Sequence, residues 1–80
     1  MELVNRTMSY LAKLADDSVP SEKVIAARLE LRDYMLGLGN TPDQAEYWIG
    51  YSEAVSEDEF LFDLLITDAA ISIMQGWIVK

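Results

Sequence analysis

Tyr47 and Tyr51 stand four residues apart, the spacing that stacks two side chains on one ridge of a helix. Acids surround them. Asp43, Glu46 and Glu53 lie on the same segment, and Glu57, Asp58, Glu59 and Asp63 follow directly in the chain. Phenolic rings flanked by carboxylates have the chemistry of a protein-binding patch. Each ring offers contact area at low entropic cost, and the carboxylates pair with arginine and lysine on a partner. These residues form the candidate partner-binding surface. The same pattern has a plainer explanation, in which both rings pack at a helix–helix seam and the acids only confer solubility. Exposure of the rings decides between the two.

No other constellation supports chemistry. The chain has neither histidine nor cysteine, so the commonest general base, the thiolate nucleophile and the usual zinc ligands are missing. Glu57, Asp58 and Glu59 are consecutive and point in different directions around a helix, which is poor geometry for a shared metal or an acid/base pair. The oxygen-ligand pattern of a calcium loop is absent. The serines have no histidine to activate them, and no G-x-S-x-G occurs. Gly37-Leu38-Gly39 follows a helical segment and lacks the lysine of a phosphate cradle. No catalytic residue, cofactor or metal is expected.

The charge balance narrows the choice of partner. The 80 residues are 51% hydrophobic and 25% charged, a globular composition, and six bases against fourteen acids give a net charge of −8. Residues 1–32 carry five acids and five bases, whereas residues 33–80 carry nine acids and one base, Lys80. Such asymmetry predicts a directional field. Six dispersed bases argue against direct binding to nucleic acid or to an anionic membrane. Glu2, Arg6 and Lys13 interrupt any secretory leader pattern, and the longest uncharged apolar run, 69–79, is shorter than the span of about 20 residues that a bilayer requires. A cytoplasmic protein is expected.

The elements that must position these residues follow from periodicity and caps. The pattern predicts an all-α fold, a compact bundle of four short helices at about 3–15, 21–37, 42–55 and 57–75, forming a single domain over 1–80. Val4, Met8, Leu11 and Ala15 recur along one face of the first segment, with Leu3, Tyr10 and Leu14 beside them. Ser18 or Ser21 can cap the second, where Val24, Arg28, Leu31, Met35 and Leu38 form one stripe, with Ala27 and Tyr34 next to it. Ile25, Leu29, Arg32 and Leu36 form another. Gly37 or Gly39 can end it. Thr41-Pro42-Asp43-Gln44 reads as a capping box, and Ala45, Trp48, Ile49, Ser52 and Val55 share the core face of the third helix. Ser56-Glu57-Asp58-Glu59 is a second capping box. The fourth segment is apolar on two sides, so it is either central in the bundle or shared with a second subunit in a homodimer. An alternative to its end is a hairpin over 71–80 about Gln75-Gly76.

A small acidic helical domain with an aromatic–acidic ridge has the physical character of an inhibitor. Proteins that handle nucleic acid present basic surfaces, and carboxylates can occupy the places of phosphates there. Nuclease immunity proteins and phage-encoded inhibitors of CRISPR, restriction or polymerase machinery are analogies of physical type only. The expectation is therefore stoichiometric, charge-complementary binding to a basic nucleic-acid-handling protein. The alternative is a self-associating structural or adaptor module that uses the surplus apolar stripe of the fourth segment, Phe60, Leu64 and Ile71.

Overall fold

The computed structural model describes residues 2–57 and 77–79. It contains three helices, α1 (Glu2–Ala15), α2 (Ser21–Gly37) and α3 (Pro42–Val55), and no strand among the described residues. Three helices are thus found among the described residues, where four were expected over the chain. The fourth, 57–75, lies outside the described residues except for Glu57, which sits in a turn after α3. Most of the alternative hairpin lies outside them as well. Trp77–Val79, at its far end, forms a turn and bend.

The ends of α2 and α3 are fixed by local chemistry. α2 ends in a Schellman arrangement. The Asn40 N–H donates to the Met35 carbonyl at 3.2 Å and the Gly39 N–H to that of Leu36 at 3.0 Å. This requires a left-handed residue, and Gly39 has φ +107°. Gly37 stays helical. At α3 the capping box forms in both directions. The Gln44 N–H donates to Thr41 Oγ1 at 3.2 Å, and the Thr41 N–H donates to Gln44 Oε1 at 2.8 Å. The start of α2 differs from expectation, because neither serine caps it. Pro20 occupies the cap position without a side-chain bond, and Ser21 is already helical. Ser18 instead donates its backbone N–H and its hydroxyl to Asp16. These bonds, the hydroxyl's first, hold the Asp16 carboxyl below its ordinary range.

The three helices enclose Trp48, Ile49, Ala45 and Ser52, all fully buried, with Leu3, Leu11, Leu31, Met35 and Val55 around them. All five residues of the expected α3 face are inside. On α1 the buried stripe is Leu3, Thr7, Tyr10 and Leu11, rotated by about one residue from the expected Val4–Met8–Leu11–Ala15. The cause is Thr7. Its hydroxyl donates to the Leu3 carbonyl at 2.7 Å and accepts the Trp48 indole N–H at 3.0 Å, so a polar residue becomes core and satisfies a buried donor. Val4 and Met8 pack at the margin, and Ala15 is exposed. On α2 the first stripe is the core face, while Ile25 and Leu29 from the second are 61% and 51% exposed. No described helix is long and apolar enough to cross a membrane.

Candidate protein-binding surface

The expected binding residues divide between two flanks of α3. At 3.6 residues per turn, Glu46 and Glu53 lie about a third of a turn around the helix from Tyr47 and Tyr51. Asp43, Gly50 and Ala54 run along the exposed ridge between them.

The glutamate flank faces α2. Arg28 Nε lies 3.1 Å from Glu53 Oε2, and Arg28 Nη2 lies 3.1 Å from Glu46 Oε2. Arg32 Nε reaches Glu46 Oε1 at 3.1 Å. The buried Tyr10 hydroxyl of α1 donates to Glu53 Oε2, completing a network across all three helices. Glu53 was expected in the partner-binding patch. It lies instead at the α1–α2–α3 seam, because Arg28 within the α2 core stripe must find a carboxylate. The hydrogen bonds from Arg28 hold the Glu46 carboxyl below the usual range, and those to Glu53 and Glu46 raise the already basic Arg28 guanidinium. Burial, reinforced by the bond to Glu53, pushes the Tyr10 hydroxyl up to about 12.

The tyrosine flank is open. Tyr47 is half exposed, at 50%, and Tyr51 is partly buried against the core. Their rings stack with centroids 6.4 Å apart and planes 10° from parallel. Tyr51 in turn leans on the buried Trp48, with centroids 6.1 Å apart. The other neighbour of Tyr47 is Trp77, edge to face at 4.6 Å and 70°. Trp77 is itself 47% exposed.

Trp77 was not among the expected binding residues, because its segment has no helical period and reads as a tail. It is held firmly nonetheless. Gln44 Nε2 donates to the Trp77 carbonyl at 2.6 Å. The Asn40 amide donates to the Val79 carbonyl at 2.8 Å and accepts the Val79 N–H at 2.7 Å. Between them Ile78 is buried in the core. An Ile flanked by two large apolar residues, with the Asn40 carboxamide in the α2–α3 turn, was the available signal.

Of the remaining expected residues, Asp43 and Glu57 are exposed, while Asp58, Glu59 and Asp63 lie outside the described residues. No group of three acids able to hold a metal ion occurs among the described residues. A cleft of about 100 Å³ between α1 and α2 is lined by Arg6, Ser9, Tyr10, Lys13, Ala27, Glu30 and Leu31, well below the several hundred Å³ of a typical small-molecule site. Comparison with protein-family models, with curated proteins and with solved structures finds no match.

Proposed function

We propose that this chain is a protein-binding inhibitor that docks through the tyrosine flank of α3 onto a basic, nucleic-acid-handling protein. The observation that carries the proposal is the Tyr47–Trp77 pair. Two large rings stand half exposed and locked edge to face on a chain of net charge −8. Rings already fixed in place lose little freedom on binding, and they make anchors of the kind that dominate interface energetics. The excess of acid steers encounter with a cationic surface and disfavours anionic partners. Asp43 lies one turn before Tyr47, on the exposed ridge that borders this flank. Glu57, Asp58, Glu59 and Asp63 continue the acidic run in sequence.

Glu46 and Glu53 take a lesser part, since their oxygens are already engaged by Arg28, Arg32 and Tyr10. Blocking a working surface needs binding alone, without catalysis, cofactor or metal. Anti-CRISPR, anti-restriction and nuclease-immunity activities all take this form, and the cytoplasm is where such targets act.

Affinity capture from the host with the tagged chain tests the proposal. The expected result is a basic nucleic-acid-binding protein retained stoichiometrically, released by rising salt, and not retained by a Tyr47→Ala, Trp77→Ala variant. Retention of no such protein, or retention indifferent to that variant, overturns it. A second reading, a self-associating adaptor, is favoured by the exposure of Ile25 and Leu29 on α2. Sedimentation showing a salt-resistant oligomer that Leu29→Ser dissolves supports that reading instead.

A further inference from the structure

The molecule already contains one completed example of how it handles a guanidinium. Arg6 lies over the Tyr34 ring, with Cζ 4.2 Å from the centroid, while its Nη2 pairs with Glu2 Oε1 at 3.0 Å. A planar cation thus sits on an aromatic face with a carboxylate at its edge. The corner at the start of α3 offers two of those three kinds of group, the ring and the carboxylate. Tyr47 and Trp77 supply two rings 70° apart, and Asp43 supplies an exposed carboxylate one turn before Tyr47. Indole is the strongest of the aromatic cation acceptors. The hydrogen bonds from Gln44 and Asn40 fix the backbone that carries Trp77, so the corner is formed before anything arrives.

The chain cannot fill this corner from its own arginines, because all three are committed. Arg6 is held by Glu2 and Tyr34, Arg28 by Glu46 and Glu53, and Arg32 by Glu46. We infer that the Tyr47–Trp77–Asp43 corner receives an arginine side chain from the partner, the guanidinium lying against the rings and turned toward the carboxylate. Arginine suits it better than lysine. The guanidinium is planar, stacks on rings, is weakly hydrated and can bond a carboxylate in bidentate fashion, whereas an ammonium is a strongly hydrated point charge. This rests on the tyrosine flank being the binding surface proposed above, and it names the partner group that the flank selects.

The two tryptophans make the test direct. Trp48 is buried with its N–H bonded to Thr7, and Trp77 is half exposed, so their indole N–H resonances report separately on the core and on the corner. The ¹⁵N-labelled chain is titrated at low salt with tetra-arginine, tetra-lysine and the neutral isostere tetra-citrulline. The expected result is a saturating shift of the Trp77 indole by tetra-arginine, a weaker response to tetra-lysine and none to tetra-citrulline, with Trp48 unmoved. Tyr47→Ala is expected to weaken the response roughly tenfold and Asp43→Asn roughly threefold. An unchanged Trp48 resonance certifies that each variant is folded, and should Tyr47→Ala unfold, the exposed Asp43→Asn site still decides. Equal response to lysine and arginine, or shifts spread over the acids that leave Trp77 still, overturns the inference. A basic protein captured from the host but mapped away from Trp77 sinks this inference alone. A responsive corner with no basic partner captured sinks only the inhibitor reading.

Discussion

The two flanks of α3 differ in how far their side chains are already engaged within the chain. One presents Glu46 and Glu53, the other Tyr47 and Tyr51, each pair offset by a helical repeat or two. The carboxylates find Arg28, Arg32 and Tyr10 within the same chain and become part of what holds three helices in register. The tyrosines find Tyr51's stacking and Trp77's edge, yet Tyr47 and Trp77 keep about half their surface in water. A residue's chemistry therefore does not say whether it is spent on the fold or left open to solvent. What decides is whether its bonding capacity is already used.

Substitutions on the two flanks are expected to separate accordingly. The largest effect falls on binding. Tyr47→Ala with Trp77→Ala is expected to weaken binding of the partner, read by isothermal titration, by about 3 kcal/mol, on the scale of interface anchors, while chemical denaturation shows a much smaller change in fold stability. Next is Glu53→Ala, which leaves the Tyr10 hydroxyl without its acceptor and the Arg28 guanidinium with Glu46 alone. It is expected to cost about 2 kcal/mol in urea denaturation, discounted from a buried pair because both charges keep some contact with water, with little change in partner affinity. If Glu53→Ala instead abolishes binding in a stably folded chain, the division between flanks is broken.

Smaller still is Gly50→Ala, on the ridge between the flanks. A Cβ there meets nothing within 4 Å and the backbone is helical, so alanine is expected to raise stability by about 1 kcal/mol. Unchanged binding by that variant would place the partner on the tyrosine side rather than over the ridge. An effect of similar size to that of Gly50→Ala is expected at alkaline pH. The Tyr10 hydroxyl titrates near 10 when unfolded and at about 12 when folded, so its contribution is complete below pH 10 and is lost as pH rises toward 12. Denaturation midpoints at pH 9 and 11 should fall more for the parent chain than for Tyr10→Phe. Glu46 runs the other way. Its contribution is present above about pH 4.5 and is lost as pH falls below that value.

The parts legible in the sequence were those governed by neighbours in the chain. Thr41-Pro42-Asp43-Gln44 announced the start of α3, and the spacing of Ala45, Trp48, Ile49, Ser52 and Val55 identified its buried face without error. Periodicity misplaced the α1 stripe because it treats Thr7 as polar, and only the indole across the core reveals that the hydroxyl is needed inside. The ion pairs were hidden for a different reason. Glu46 and Glu53 lie 18 and 25 residues from Arg28, and counting charge by halves of the chain assigned them to a free acidic field. A charged residue within an apolar stripe, as Arg28 is, was the clue that an acid had to come to it. Trp77 escaped because its placement depends on Asn40 and Gln44, more than thirty residues earlier.

Asn40 joins two things that are remote in the chain. Its backbone N–H and its side-chain amide both donate to Met35 in the last turn of α2, and the same side chain grips Val79 from both directions. Fraying of that helix end and loosening of the segment at Val79 are consequently expected to be coupled through Asn40. Deuterium uptake at the last turn of α2 and the colour of Trp77 emission should rise and fall in step, and Asn40→Ala should set both loose together.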